Sequence, residues 1–364
     1  MKPTVFLTGA TGFLGMEVLA RLLEEGDREV LALIRASDDA AAEARLDDVL
    51  LTLWDDPSPY RDRVTAVRGD VTAPGLGLGA RRDEWATRAQ AVLHCAASIS
   101  FDLPLPEARA INVDGTARVL DFALDAQGRE GLERFLHVST AYVAGRYEGT
   151  FSERQLDAGQ AFRNTYEETK ADAEQIVRLA RDLGPAIARP SIVVGESDSG
   201  WTPAFNVLYW PLRAFSRGMF KEVPALADGH VDVVPIDYVA DGLVHLLGLR
   251  EAGVFNLVSG SGAPTVAELV NLASDWFDKP HPKLVEPLAP EHIGDDRGDV
   301  FVPYFDMRLV FDDARARGVL GPAGIEAPAL RDYFGTLMEY AETARWGKRG
   351  ISREAARARV ATPA

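Results

Sequence analysis

The fold is decided by the stretch Val5-Phe6-Leu7-Thr8-Gly9-Ala10-Thr11-Gly12-Phe13-Leu14-Gly15. A short apolar run, typical of a buried strand, leads into three glycines spaced three residues apart, and the amphipathic pattern Met16–Glu25 follows. A helix that begins near Phe13 presents free N–H groups and its positive dipole end to a pyrophosphate. The stretch therefore predicts a strand, a turn and a helix that bind a dinucleotide through Gly9, Thr11, Gly12, Phe13, Leu14 and Gly15.

Short apolar runs alternate with amphipathic stretches beyond this motif. Such alternation predicts right-handed βαβ units and a parallel sheet, so the predicted fold class is α/β, a Rossmann-like doubly wound sheet. The predicted strands are Val5–Thr8, Val30–Ile34, Val64–Gly69, Ala91–His94, Phe135–Ser139, Ile187–Arg189 and, much later, Val254–Val258. The helical patterns include Met16–Glu25, Arg109–Ala126 and Tyr166–Leu183.

The residue at the end of the second predicted strand chooses between NAD and NADP. An acid there accepts the ribose hydroxyls, whereas a cation accommodates the 2′-phosphate. Val30–Ile34 ends in Arg35, and Arg45 can fold back beside it, while Asp38 and Asp39 come where they can cap the next helix. In an acidic chain this favours NADPH as the cofactor; the alternative is a solvated Arg35 and a site that accepts either cofactor.

Tyr166 and Lys170 are one helical turn apart and share a helix face. A phenol with a pKa of about 10 is a poor acid–base catalyst at neutral pH. A neighbouring ammonium and the charge of an oxidised nicotinamide favour the phenolate and lower that pKa. We therefore predict Tyr166 as the catalytic proton donor and Lys170 as its partner, which also holds the cofactor ribose.

After Arg189-Pro190 the sequence becomes aromatic and rich in prolines and loops, in Trp201–Phe220 and in Lys279–Pro303. We predict an NADP-binding Rossmann domain from residues 1–190 and 232–260. A smaller, discontinuous C-terminal substrate-binding domain is predicted from residues 191–231 and 261–346. The tail, 347–364, is rich in Arg and Ala and is predicted to be a frayed helix.

Taken in order, the motifs resemble the extended branch of the short-chain dehydrogenase/reductase superfamily over roughly residues 4–260. The matching segments are Gly69-Asp70-Val71 at the adenine-contacting acid, His94-Cys95-Ala96-Ala97 at the loop lining the cofactor, Asn112-Val113-Asp114-Gly115-Thr116, and Arg189-Pro190-Ser191 near the nicotinamide. The resemblance implies further cofactor contacts by Asp70, Val71, Ala96, Ala97, Pro190 and Ile192.

The resemblance also implies a third catalytic residue. In that family a hydroxyl in the loop after the strand 135–139 contacts the substrate carbonyl, and the register matches Thr140, with Ser139 one place out of line. Thr140 would polarise the carbonyl as a hydrogen-bond donor, hydride would pass from the nicotinamide, and Tyr166 would give the proton. Asn112 either holds a helix behind the site or is purely structural.

Within the superfamily the chain is most similar to thioester reductases and fatty acyl-CoA reductases, the male-sterility-type NAD-binding domains. The segments that carry this similarity are Leu33-Ile34-Arg35 with Arg45-Leu46, Gly69-Asp70-Val71-Thr72 followed by Gly75-Leu76-Gly77-Leu78, Ala97-Ser98-Ile99-Ser100-Phe101, and the run from Arg189 to Gly200. The resemblance implies NADPH-dependent reduction of an acyl thioester to an aldehyde, and with a second hydride to the alcohol. Arg35 and Arg45 would share the 2′-phosphate, and acyl-CoA or an acyl carrier protein would be supplied in trans.

Two alternatives remain open. The first is other chemistry on the same fold, namely a reductase or dehydrogenase of a ketone or secondary alcohol of sterol or flavonol type, or a nucleotide-sugar epimerase. Ala141-Tyr142 stands where nucleotide-sugar dehydratases carry an Asp-Glu pair. The second is a non-catalytic NADP-sensing regulator, although such regulators typically lose the Tyr-x-x-x-Lys pair. Three interpretations of the aromatic stretch 201–220 also stay open: it lines an acyl tunnel, it contacts a membrane surface, or it belongs to the ordinary hydrophobic core.

The chain has 364 residues, a formal net charge of −16 and one cysteine, Cys95. The negative charge argues against nucleic-acid binding. A single cysteine in an apolar run predicts a buried, unreactive thiol and a cytoplasmic protein, and the scattered histidines predict no metal site. No apolar run approaches the ~20 residues that span a bilayer, and the N-terminus leaves no room for a signal peptide, so only peripheral membrane contact stays open. The oligomeric state is left open.

Overall fold

A computed structural model describes residues 3–129, 131–205, 207–286 and 304–361. The strands are β1 (Thr4–Thr8), β2 (Glu29–Ile34), β3 (Val64–Arg68), β4 (Ala91–His94), β5 (Arg134–Val138), β6 (Gly149–Phe151), β7 (Ala186–Pro190), β8 (Ile192–Val194), β9 (Glu222–Pro224), β10 (Val233–Pro235), β11 (Gly253–Leu257), β12 (Lys283–Val285) and β13 (Leu309–Phe311). The helices are α1 (Phe13–Glu24), α2 (Asp39–Leu53), α3 (Ser58–Arg61), α4 (Arg82–Arg88), α5 (Leu105–Asn112), α6 (Asp114–Arg129), α7 (Thr165–Leu179), α8 (Tyr209–Ser216), α9 (Ile236–Gly248), α10 (Val266–Phe277), α11 (Ala314–Leu320), α12 (Leu330–Thr343) and α13 (Arg353–Ala361).

The central sheet has seven parallel strands in the order β11-β7-β5-β4-β1-β2-β3. The predicted α/β, Rossmann-like fold class is therefore confirmed, and every predicted strand is present with ends that differ by at most one residue. The late strand rejoins the sheet as β11, paired with β7. The chain runs outward from β1 to β3 on one side and from β4 to β11 on the other. Ligands of such sheets bind at the carboxyl ends of the strands, at this switch point between β1 and β4.

The helical pattern Arg109–Ala126 forms two helices, α5 and α6, rather than one. Val113 separates them. The Thr116 hydroxyl donates to the Asn112 carbonyl at 2.6 Å, and such a side-chain bond to the preceding turn bends a helix.

A second apolar core lies beside the sheet. It joins residues of α8, α10 and α12 with Phe151 of β6 and Phe311 of β13. Short parallel pairs, β8 with β10, β9 with β12 and β6 with β13, frame this core. Part of the predicted loop-rich segment, residues 287–303, lies outside the described residues. The domain boundaries given above stay a prediction.

The C-terminal tail contains a helix, as expected, but α13 is docked rather than frayed. Arg353, at its first residue, is only 1% exposed and forms ion pairs with Glu17 of α1 and with Glu196. The composition of the tail does not show this, because its partners lie far away in the sequence. Within the described ranges, no helix combines the length and apolar composition needed to cross a bilayer.

Candidate active site

The glycine turn links β1 to α1 where the sequence predicts it. Gly9 has φ +83°, and a Cβ on it would lie 2.7 Å from the Ala96 nitrogen. A Cβ on Gly15 would lie 2.0 Å from the Gly9 carbonyl oxygen. Only glycine fits at both positions, so the turn is tight and α1 begins close to the end of β1.

The N-terminus of α1 is open to a ligand. Gly12 is the N-cap residue and is exposed, and the first backbone bond of the helix runs from the Met16 N–H to the Gly12 carbonyl at 2.9 Å. Among the described residues, no side chain caps this end. The early N–H groups of α1, from Phe13 and Leu14, are therefore available to an anion, and the residues present fit the pyrophosphate of a dinucleotide.

Arg35 and Arg45 come together at the end of β2. Both are exposed, and an Nη1 N–H of Arg45 donates to the Arg35 carbonyl oxygen. The nearby acids have other partners, because Asp38 caps α2 through the Ala41 N–H at 2.8 Å and Asp39 pairs with Arg68 at 3.0 Å. Within the described part of the chain, neither Arg35 nor Arg45 forms an ion pair with a carboxylate.

The other predicted cofactor residues follow strands of the same sheet edge. Asp70 and Val71 come after β3, Ala96 and Ala97 after β4, and Pro190 and Ile192 lie where β7 passes into β8. Asp70 accepts hydrogen bonds from the N–H and the hydroxyl of Thr72, both at 2.8 Å. The Ala96 N–H donates to the Thr8 hydroxyl at 3.1 Å, which ties the loop after β4 to the end of β1.

Thr140 and Ser139 differ sharply in what their hydroxyls contact. Ser139 Oγ donates to Oε2 of the buried Glu174 at 2.8 Å. Thr140 Oγ1 donates to the Pro190 carbonyl oxygen at 3.3 Å, accepts from the Tyr142 N–H at 3.2 Å, and lies close enough to the Tyr166 phenol to lower its pKa. Of the two, Thr140 therefore faces the predicted proton donor.

Tyr166 and Lys170 lie on one face of α7, in the order the spacing predicts. Burial raises the pKa of Tyr166 to about 12, and the neighbouring Thr140 hydroxyl opposes this with a smaller effect. The Lys170 ammonium is 3% exposed and donates to the Val138 carbonyl oxygen at 2.7 Å. Burial lowers the pKa of Lys170 to about 8. Burial is the largest cause of the Tyr166 shift, and the expectation that Lys170 and an oxidised nicotinamide together lower this pKa stays a prediction.

Asn112 joins the loop after β4 to the catalytic helix. Its side chain accepts from the Ser98 N–H at 2.8 Å and donates to the Ser98 carbonyl oxygen at 3.1 Å. It also donates to the Thr169 hydroxyl at 2.9 Å. This is the holding role behind the site that the sequence left open, and it fixes the loop that carries Phe101, whose ring lies 5.7 Å from that of Tyr166.

A buried ion pair that the sequence analysis did not predict joins the catalytic helix α7 to β7. Glu174 of α7 and Arg189 of β7 are both fully buried, with Oε1 2.7 Å from Nη2. Arg189 and the Ser139 hydroxyl hold the pKa of Glu174 below its usual range against the opposing effect of burial. An arginine inside an apolar strand was the available signal, because such a cation needs a buried acid.

Cys95 is half-buried, and burial raises the pKa of its thiol to about 12, so it is not a nucleophile at neutral pH. Among the described residues, no three His, Cys, Asp or Glu side chains converge as metal ligands.

An apolar cavity of about 210 Å³ lies in the second core, between α8, β9 and α10. Residues of the aromatic stretch line part of it. Its lining includes Leu208, Trp210, Phe215, Val266, Leu269 and Phe305. Phe305 follows Tyr304, whose ring stacks 5.5 Å from that of Phe101. One backbone link, from Phe305 to Tyr304, and two ring contacts, through Phe101, thus lead from the cavity wall to Tyr166.

Comparisons with known proteins agree with this geometry. The sequence profile of the male sterility protein family matches residues 7–243. Fatty acyl-CoA reductase wat of Drosophila melanogaster is 31% identical over 285 residues, which cover 66% of this chain and 53% of that protein. Fatty acyl-CoA reductase 1 of Homo sapiens is 31% identical over 303 residues, covering 71% of this chain and 58% of that protein. The chain thus spans little more than half the length of these reductases.

Among solved structures, the terminal R domain from the myxalamid PKS-NRPS biosynthetic pathway superimposes with a TM-score of 0.80. It is 24% identical and covers 96% of this chain and 93% of that one, so the similarity shows the fold. The chain therefore belongs to the male sterility protein family, an NAD-binding branch of the extended short-chain dehydrogenase/reductase fold.

Proposed function

We propose that the chain is an NADPH-dependent reductase of acyl thioesters in which Tyr166 is the proton donor. The observation that carries this proposal is that the Thr140 side chain lies close enough to Tyr166 to lower its pKa, at the sheet edge that also holds the open N-terminus of α1. Two hydroxyls that meet at one point can donate to a single carbonyl oxygen.

Arg35 and Arg45 support NADPH over NADH. Two exposed guanidinium groups that have no carboxylate partner in the described residues are available to bind a phosphate. Arg–phosphate hydrogen bonds are charge-assisted and directional. The 2′-phosphate of NADPH is the group that normally lies at the end of this strand.

NADPH, when bound, supplies the hydride. Thr140 and Tyr166 would donate hydrogen bonds to the thioester oxygen as the carbonyl carbon becomes tetrahedral, and Tyr166 would transfer its proton to that oxygen. Loss of the thiol from this hemithioacetal then gives the aldehyde, and a second hydride and proton would give the alcohol. Lys170, with a pKa of about 8, is protonated at neutral pH and stabilises the phenolate that Tyr166 becomes.

The apolar cavity supports an acyl substrate, since its lining offers aliphatic and aromatic side chains and a single carboxylate, Glu222. The thioester would come in trans as acyl-CoA or on an acyl carrier protein. Relatives named as fatty acyl-CoA reductases agree with this substrate class. Ala141 and Tyr142 are buried and not acidic, which disfavours nucleotide-sugar dehydration.

The experiment is to supply the purified protein with NADPH and, separately, with an acyl-CoA, an acyl-carrier thioester, an aldehyde, a ketone and a nucleotide sugar. We expect NADPH oxidation with a thioester. The variant Tyr166→Phe should bind NADPH as before while kcat falls about 10²- to 10⁴-fold. Turnover only with a ketone or a nucleotide sugar, or unchanged turnover in Tyr166→Phe, would overturn the proposal.

A further inference from the structure

Tyr304 holds the first turn of the catalytic helix. Its hydroxyl donates to Glu167 Oε1 at 2.9 Å and accepts from Asn164 Nδ2 at 2.9 Å. Asn164 is the N-cap of α7, and Glu167 follows Tyr166 directly. Tyr304 is 3% exposed and Glu167 is fully buried, so these bonds are made away from water. The orientation of the turn that carries Tyr166 therefore depends on a residue from beyond position 300.

The ring of Tyr304 also contacts both loops beside Tyr166. It stacks on Phe101 at 5.5 Å, and Phe101 in turn lies 5.7 Å from the Tyr166 ring. It meets the ring of Tyr142 edge-on at 5.1 Å, and Tyr142 is held to Thr140 through its backbone N–H. One side chain thus contacts the loop after β4, the loop after β5 and the start of α7.

The neighbour of Tyr304 belongs to the apolar cavity. Phe305 lines the cavity, and its carbonyl oxygen accepts from the Leu226 N–H at 3.3 Å. Val223 and Pro224, which lead into Leu226, line the same cavity. A ligand that presses on Phe305 therefore acts on the backbone that carries Tyr304, because adjacent residues in packed surroundings cannot move independently.

We propose that Tyr304 is a positioning residue that couples occupancy of the apolar cavity to the orientation of Tyr166. This inference rests on the proposed function in assuming that the cavity takes the acyl chain. The hydrogen bonds of the Tyr304 hydroxyl go to Asn164 and Glu167, the residues that flank Tyr166 in the first turn of α7, so we assign it a role through Tyr166 rather than in the reaction itself. It would convert binding energy from the remote end of the substrate into alignment of the proton donor, which raises kcat rather than affinity.

The test compares the wild type with Tyr304→Phe, which removes only the hydroxyl, and with Tyr333→Phe as the matched control. Tyr333 is also buried in the second core, but its hydroxyl lies 3.5 Å from the Val233 carbonyl oxygen, away from α7. Hydrogen exchange is followed in peptides covering residues 163–169 and 208–216 with NADP⁺, before and after addition of hexadecyl-CoA, a thioether that cannot be reduced. The Arg163 and Glu167 N–H groups report directly on the first turn of α7, because the first donates to the Glu167 side chain and the second to the Asn164 side chain, the two partners of the Tyr304 hydroxyl.

In the wild type and in Tyr333→Phe, the thioether should slow exchange in both peptides. In Tyr304→Phe, slowing should persist in 208–216 and be lost in 163–169. Equal slowing of 163–169 in all three proteins, or none in the wild type, would overturn the coupling. This readout needs no turnover, so it separates failure of the inference from failure of the proposed function.

Kinetics give a second readout with butanoyl-CoA and hexadecanoyl-CoA. We expect Tyr304→Phe to lower kcat for the long chain at least about tenfold, to the short-chain value, with KM little changed. A merely structural role would lower both kcat values equally, together with the melting temperature, and that outcome would also count against coupling.

Discussion

Arg353, in the last helix, forms a buried ion pair with Glu17, in the first, with Nε 2.8 Å from Oε2. The two residues are 336 positions apart. The same guanidinium lies 2.8 Å from Glu196 and 2.7 Å from Glu24. Because the N-terminus of α1 is the proposed pyrophosphate site, α13 supports the helix that would hold a dinucleotide.

Arg353→Leu should therefore destabilise the fold. Removing the guanidinium leaves Glu17 and Glu196 buried with less compensating charge, which costs about 3–5 kcal/mol when no cation remains. Since Arg21 and Arg357 stay within 2.8 Å and 2.7 Å of these acids, we expect about 3 kcal/mol, the lower end of that range. Urea unfolding measures this loss in the free energy of unfolding. Arg331→Leu is the control, because the Arg331 side chain is 78% exposed and its loss should change stability by less than about 0.5 kcal/mol. A loss below about 1 kcal/mol in Arg353→Leu would show that the cluster is not stabilising.

Lys170→Met should make the protein inactive but more stable at neutral pH. The folded-state pKa of about 8 lies below the ordinary 10.5, so between these values the unfolded chain binds more protons and stability rises with pH. Below about pH 8 the folded state bears the full cost of the buried ammonium, roughly 3 kcal/mol. Losing the bond to the Val138 carbonyl offsets about 1 kcal/mol of the gain.

The measurement is urea unfolding of both proteins from pH 7 to pH 10. The wild type should gain stability across this range, and Lys170→Met should lack that rise while starting about 2 kcal/mol higher. Parallel pH profiles for the two proteins would mean that Lys170 is not the group responsible.

Arg35→Ala and Arg45→Ala should lower the preference for NADPH. A hydrogen bond between a guanidinium and a phosphate contributes about 1.5–3 kcal/mol, so each variant should weaken NADPH binding roughly ten- to hundredfold and leave NADH binding unchanged. Fluorescence titration with both cofactors provides the measurement. Arg68→Ala is the control, because Arg68 ends the neighbouring strand and is already paired with Asp39. If the two variants weakened NADPH binding and NADH binding equally, the assignment of Arg35 and Arg45 to the 2′-phosphate would be wrong.

The sequence predicts the sheet well, and the structure brings the candidate cofactor residues to one edge of it, because both depend on local patterns. A strand, three glycines and a helix are contiguous, and Arg35 follows its strand directly. The pairing of Arg353 with Glu17 and of Tyr304 with Glu167 leaves no such local trace. In each case one partner lies in the first half of the chain and the other beyond residue 300, and only packing brings them together.

The pKa of Tyr166 shows a different limit of sequence patterns. Its spacing to Lys170 correctly predicts a shared helix face, but spacing carries no information on burial. Desolvation raises the pKa of the phenol, and the ammonium binds the Val138 carbonyl. Sequence patterns thus locate a titratable pair more readily than they give the environment that sets its proton affinity.

Thr140→Val and Ser139→Ala should separate the two adjacent hydroxyls. The Thr140 side chain interacts with Tyr166, so Thr140→Val should lower kcat about 10²- to 10³-fold, the effect of losing one donor to a developing oxyanion. Because the buried Tyr142 N–H then loses its acceptor, the variant should also lose about 1–3 kcal/mol of stability. Ser139 instead donates to Glu174, which keeps Arg189 and Arg178 as partners at 2.7 and 2.8 Å. Ser139→Ala should therefore cost stability of about 1.5–3 kcal/mol and leave kcat within about threefold. Steady-state kinetics and urea unfolding of both variants measure these expected changes in kcat and in stability. If Ser139→Ala lost turnover and Thr140→Val did not, the register that places Thr140 at the substrate carbonyl would be wrong.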